Sequence, residues 1–117
     1  MRRLTVVTLV LASLGLTACG STPRRVPHSS AVPPDTVVMR NIAFNPQTIN
    51  AKVGETITWV NRDDAPHNVT YVSGPRFNSS VTFKNGGSFS LKLTKAGTIR
   101  YMCTIHPGMN GTIVVAP

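Results

Sequence analysis

From Thr36 onward, apolar and β-branched residues fall in short alternating runs separated by turn residues, and no stretch keeps the spacing of an amphipathic helix. Thr36 to Phe44 and Thr48 to Val53 are apolar-rich and β-branched, Gly54 punctuates them, and Thr56-Ile57-Thr58-Trp59-Val60 sets Ile57 and Trp59 on one face. Asn61 to Pro66 reads as a turn, and His67 opens a further strand in which His67, Val69 and Tyr71 share a face. After a loop from Ser73 to Ser80 come Val81 to Phe83, a turn at Asn85-Gly86-Gly87, and Phe89, Leu91 and Leu93 in strict alternation. Lys95-Ala96-Gly97 turns the chain again. Thr98 to Cys103 then directs Ile99, Tyr101 and Cys103 inward, and Gly111 to Val115 supplies a closing strand. Strands so regularly spaced predict an all-β, two-sheet sandwich whose loops gather at its ends.

The beginning of the chain has a different pattern. Met1-Arg2-Arg3 is basic, Leu4 to Leu16 is almost wholly apolar, and Leu16-Thr17-Ala18-Cys19 ends the run with small residues before a cysteine. The run is shorter than the roughly 18 residues of a spanning helix, so export and cleavage are expected in place of a permanent span. The pattern resembles a bacterial lipoprotein signal over residues 1–18, with Cys19 lipidated after cleavage. Residues 19–34 contain four prolines and several small polar residues, too little apolar surface to bury a core, and read as a tether whose His28 is solvated. Residues 35–117 form one domain.

Charge narrows the partners. The chain carries 12 basic and 4 acidic residues, a net charge of +8, and losing Arg2 and Arg3 with the leader leaves +6. That excess favours anionic headgroups or an acidic partner. No basic block with interleaved aromatics is present, so nucleic acid is not expected.

The chemistry concentrates near the end of the chain. Tyr101-Met102-Cys103-Thr104-Ile105-His106-Pro107-Gly108-Met109 places a thiol, an imidazole and a thioether within one short segment after a strand. Soft sulfur suits Cu(I) and imidazole also suits Cu(II), so a thiolate, two imidazoles and a weak axial thioether point to a mononuclear electron-transfer copper site. His67, in Asp64-Ala65-Pro66-His67-Asn68, supplies the second imidazole if the fold joins the two segments. Asn68 is expected to brace Thr104, and Pro66 to stiffen the approach to His67. With only His28, His67 and His106 in the chain, a further histidine-rich copper centre is not expected.

Phe44-Asn45-Pro46, Val53-Gly54-Glu55-Thr56-Ile57-Thr58-Trp59-Val60-Asn61, Asp64-Ala65-Pro66-His67-Asn68 and Tyr101-Met102-Cys103-Thr104-Ile105-His106 resemble, in this order, segments of cupredoxins of the plastocyanin/amicyanin group. The resemblance implies an eight-stranded Greek-key sandwich holding one copper ion cycling between Cu(I) and Cu(II), with His67, Cys103 and His106 equatorial and Met109 axial. The two residues between His106 and Met109 match the short amicyanin loop, although Ile105 and Gly108 stand where such loops usually have proline and a bulky residue. The implied function is a monomeric, non-enzymatic electron carrier between a redox donor and an acceptor. It would be extracytoplasmic and held to the membrane by its lipid anchor. A copper storage, buffering or delivery lipoprotein would use the same ligands.

Overall fold

The computed structural model describes Gly20 and residues 32–117, so the expected leader, most of the tether, Cys19 and His28 lie outside the described residues. Eight strands follow in order: β1 Thr36–Met39, β2 Phe44–Asn45, β3 Thr48–Lys52, β4 Thr56–Asn61, β5 Thr70–Ser73, β6 Ser88–Lys92, β7 Gly97–Met102 and β8 Asn110–Ala116. They form two four-stranded sheets, ordered β2-β1-β4-β6 and β3-β8-β7-β5. Each sheet contains one parallel pair, β1 with β4 and β3 with β8. The fold is the all-β sandwich expected from the strand pattern.

Period-two alternation fills the space between the sheets. Val37, Met39, Ile57 and Trp59 enter from one sheet, and Ile49, Ala51, Ile99, Tyr101, Ile113 and Val115 from the other, all buried. Full burial of a side chain such as Ile57 contributes about 1.5–3 kcal/mol. Trp59, on the face it shares with Ile57, is buried and meets Tyr101 edge-on at 5.2 Å, and Phe44 also meets Tyr101 edge-on at 4.7 Å. Gly111 lies opposite Tyr101 in the β7–β8 pairing, and a Cβ there would collide with the phenol ring. That contact explains the glycine inside an otherwise β-branched strand.

Two expected runs are divided. Thr36 to Phe44 is not continuous, because Asn41 and Ile42 turn into the left-handed region at φ 57° and 55°. A β-branched residue adopts that conformation only at a cost of about 1–3 kcal/mol. Here both oxygens of the Asp63 carboxylate offset it, accepting from Asn41 N–H at 2.7 Å and Ile42 N–H at 3.0 Å. His67 does not open β5 either. It precedes that strand and makes an isolated antiparallel bridge with Phe83, so Val81 to Phe83 is a bridging segment and no full strand.

Candidate metal centre

Strand polarity brings the separated donors to one end of the sandwich. β7 delivers Cys103 immediately past its last residue, the 103–109 loop carries His106 and Met109, and β8 returns beside β7 with Asn110 opposite Met102. The loop is tied at its base by Cys103 N–H donating to Met109 C=O at 2.9 Å, and inside by Met109 N–H donating to His106 C=O at 3.2 Å. Gly108 sits in this tight return at φ 84°. The left-handed turn accounts for a glycine where a bulky residue was the family expectation.

His67 arrives from the other segment. Its backbone exchanges two hydrogen bonds with Phe83, at 2.9 and 3.1 Å. Asn68 then joins the halves of the site: its side-chain amide donates to Thr104 Oγ1 at 2.7 Å, and its carbonyl oxygen accepts from Thr104 N–H at 3.0 Å. These bonds link the segment that carries His67 to the one that carries Cys103. Pro66 is exposed in the turn before His67.

The Cys103 sulfur stands 3.7 Å from His67 Nδ1 and 3.7 Å from His106 Nδ1. One donor atom from each of the three residues lies within 4.8 Å of the others. An ion bonded to sulfur at about 2.3 Å and nitrogen at about 2.05 Å, with 120° between the bonds, separates those donors by about 3.8 Å. Both sulfur–nitrogen separations therefore suit a metal ion shared by the thiolate and the two imidazoles. Cys103 and His67 are fully buried, Met109 nearly so, and His106 is half-buried. A buried soft donor set that excludes water suits copper and protects the thiol from oxidation.

Asp63 and Asn61 were legible only as turn residues, and both organise the site. Asp63 Oδ2 lies 2.8 Å from His67 Nε2. Because a carboxylate only accepts, this contact holds the proton on Nε2 and leaves the Nδ1 lone pair facing the Cys103 sulfur. Burial works to raise the Asp63 carboxyl, but hydrogen bonds from Ile42, His67 and Asn41, with the attraction of His67, outweigh it and hold the group below its ordinary value. Asn61, fully buried, accepts from Asp63 N–H at 2.8 Å and donates to Ala65 C=O at 2.9 Å and Phe83 C=O at 3.1 Å. The available signal was the Asn61-x-Asp63 spacing of an Asx-turn together with the Asp63-to-His67 interval.

Next to the half-buried His106 in the chain, Ile105 is exposed, and the exposed Ile42 lines, with Gly108 and Met109, a cavity of about 250 Å³. Met39 is a core residue and Met102 is half-buried on β7.

Comparison with known proteins agrees with this geometry. A family model described as copper binding proteins of the plastocyanin/azurin family matches residues 35–116. Amicyanin of Paracoccus denitrificans is 35% identical over 116 residues, covering 91% of this chain and 88% of its own. Plastocyanin of Scenedesmus fuscus is 39% identical over 85 residues, covering 63% and 87%. A solved structure of an oxidised amicyanin mutant superposes with a TM-score of 0.67 at 34% identity, covering 75% of this chain and 87% of that one.

Proposed function

This chain belongs to the plastocyanin/azurin family of copper binding proteins and is a type 1 copper electron carrier, not an enzyme; from that premise we propose how it holds the metal and where it works. His67 and His106 would hold copper through Nδ1 and Cys103 through its thiolate, and Met109 would add a weaker thioether donor. The observation that carries this reading is the equal 3.7 Å spacing of the Cys103 sulfur from both imidazole nitrogens.

Copper supplies a one-electron Cu(I)/Cu(II) couple when bound. The chain's own residues supply the rest. Asp63 fixes the tautomer of His67, Asn68 and Thr104 hold the two ligand segments together, and the Cys103–Met109 hydrogen bond fixes the loop. Donors held this firmly need little rearrangement between oxidation states. The half-buried His106, with the exposed Ile105 beside it in the chain, offers the short path for an electron to a docked redox protein.

The protein works outside the cytoplasm, tethered to the membrane through lipidated Cys19 with residues 19–34 as spacer. The basic, apolar and small-residue order of residues 1–19 supports the anchor. The decisive experiment compares two substitutions in copper-loaded protein. Cys103→Ser abolishes the intense visible absorption of the oxidised form even where some Cu(II) stays bound. Met109→Leu keeps the colour and raises the reduction potential, because only the weak axial donor is lost. Loss of colour in both variants, or an unchanged potential in the second, would reject the axial role of Met109.

A further inference from the structure

A strand at the margin of a sheet turns alternate backbone groups outward, and the margin stays open unless something takes them. Here the margins are β2 and β6 in one sheet and β3 and β5 in the other. Three of them are blunted. Beside and within β5, Val69 N–H and Tyr71 N–H donate to the hydroxyls of Ser80 and Ser79, at 2.8 and 3.0 Å. At the end of β3 the Glu55 carboxylate accepts from Lys52 N–H at 2.8 Å, and β2 is only two residues long.

β6 differs from all of these. Leu93 N–H donates to Glu55 C=O at 2.8 Å and Asn61 N–H to Gly87 C=O at 3.0 Å, so in the antiparallel register residues 87, 89, 91 and 93 bond toward β4. The N–H and C=O groups of Ser88, Ser90 and Lys92 therefore point away from β4, and among the described residues they have no partner. All three residues are exposed. Lys84 precedes the turn into this strand, and Lys95 and Arg76 stand by its far end, where residues 75–77 share a narrow cleft with residues 91–95. No Asp or Glu occurs anywhere in residues 65–117.

We propose that β6 is a pairing edge for an extended acidic segment of another protein, which joins the β2-β1-β4-β6 sheet as a further strand. The outward groups of Ser88, Ser90 and Lys92 alternate donor and acceptor, and only another main chain answers both. An anionic lipid surface accepts hydrogen bonds but leaves the outward carbonyls without a donor. Charge then selects among main chains. A second copy would bring its own Lys92, Lys95 and Arg76 against this edge. The segment ahead of the domain carries Arg24 and Arg25, and its Pro23 and Pro27 cannot donate to a ladder. An acidic strand meets neither obstacle. The contact takes no part in the electron's exit at His106, so it goes beyond the carrier reading and stands without it.

Amide hydrogen exchange on the full chain, with and without copper, tests this against short synthetic peptides about seven residues long, enough to span the strand. One alternates glutamate with valine, the second is the same peptide N-methylated throughout, and the third has lysine for glutamate. The first peptide should slow exchange at Ser88, Ser90 and Lys92 about tenfold, and leave Phe89 and Leu91, already bonded to β4, nearly unchanged. The N-methylated peptide keeps its charge but has no donors, and it should slow the same amides less than about twofold, as should the lysine peptide. Ser90→Pro removes one outward N–H from an edge where proline is tolerated, and should weaken binding of the first peptide about tenfold. If that variant does not fold, the N-methylated peptide makes the same comparison from the ligand's side. Equal slowing by the first two peptides would reduce the edge to a charged surface and overturn the proposal. So would no slowing by the first peptide, or protection that arises from raised protein concentration or phosphatidylglycerol vesicles and not from that peptide. Failure to bind copper would reject the carrier reading alone, since exchange in the metal-free chain would still decide whether β6 pairs.

Discussion

At the scale of single residues, Asp63 has the most to hold. One carboxylate accepts from two backbone N–H groups in the 40–43 turn and from the imidazole of His67. Asp63→Ala should therefore have two separable effects. Copper affinity falls about 10–100-fold because the His67 ring loses its orientation, and stability falls by about 1–3 kcal/mol because the buried His67 N–H and the left-handed turn at Asn41 and Ile42 lose a charged acceptor. Asp63→Asn retains one oxygen and should recover part of both. Copper titration and urea unfolding of the metal-free protein read the two effects, and equal affinity for wild type and Asp63→Ala would refute the positioning role. None of this was apparent from the residue itself, because its partners Asn41 and Ile42 lie far back in the chain. Cys103, His106 and Met109 were legible because their chemistry is packed into one short segment. Asn68 and Thr104 were legible through the ligands beside them.

Among the strands, alternation foretold most of β3, β4, β6, β7 and β8, since one face of each meets the core. It misjudged the 36–44 run and the start of β5, where contacts from elsewhere override local pattern: Asp63 bends the first, and Phe83 captures His67 before the second. The pairing of β7 with β8 sets up a pH dependence. Tyr101, pressed against Gly111, is fully buried, and neither its hydroxyl nor the Trp59 indole N–H has a hydrogen-bond partner. Burial pushes the phenol from 10.0 up to about 12, outweighing an opposite influence from Trp59. The folded state thus retains the proton where the unfolded chain loses it. Stability from this group is whole below pH 10.0 and declines as pH rises toward about 12, by about 2–3 kcal/mol in all. Tyr101→Phe should flatten that alkaline decline, and at neutral pH it should cost little, because the lost hydroxyl was unpartnered. Urea midpoints measured from pH 8 to 11 decide the matter; an identical decline in both proteins would assign it elsewhere.

For the whole molecule, the proposed metal centre and the proposed anchor belong to different parts of the chain. All the proposed ligands lie at or beyond His67, so the anchor and the metal centre should be separable. Cys19→Ala should release the protein from the membrane fraction while leaving its copper spectrum intact. Mass spectrometry of the wild-type N-terminus supplies the check, and an unmodified terminus at another residue would remove the lipid anchor from the account. The order of donors along the chain was readable, whereas the meeting of the 75–77 segment with β6 and the turn after it was not, because its members are scattered in sequence.

The place of β8 has a consequence for how the protein comes to be folded. This final strand is interior to its sheet, bonded to β3 on one side and β7 on the other, with Thr48 pairing across most of the domain to Thr112. A chain emerging from synthesis or crossing a membrane from its N-terminus can therefore complete the β2-β1-β4-β6 sheet first, but it leaves β3 without a neighbour and the second sheet unfinished until residues 110–116 arrive. Such long-range parallel pairing is a slow step. Assembly of the complete donor set, whose last members lie in the loop between β7 and β8, is correspondingly a late event.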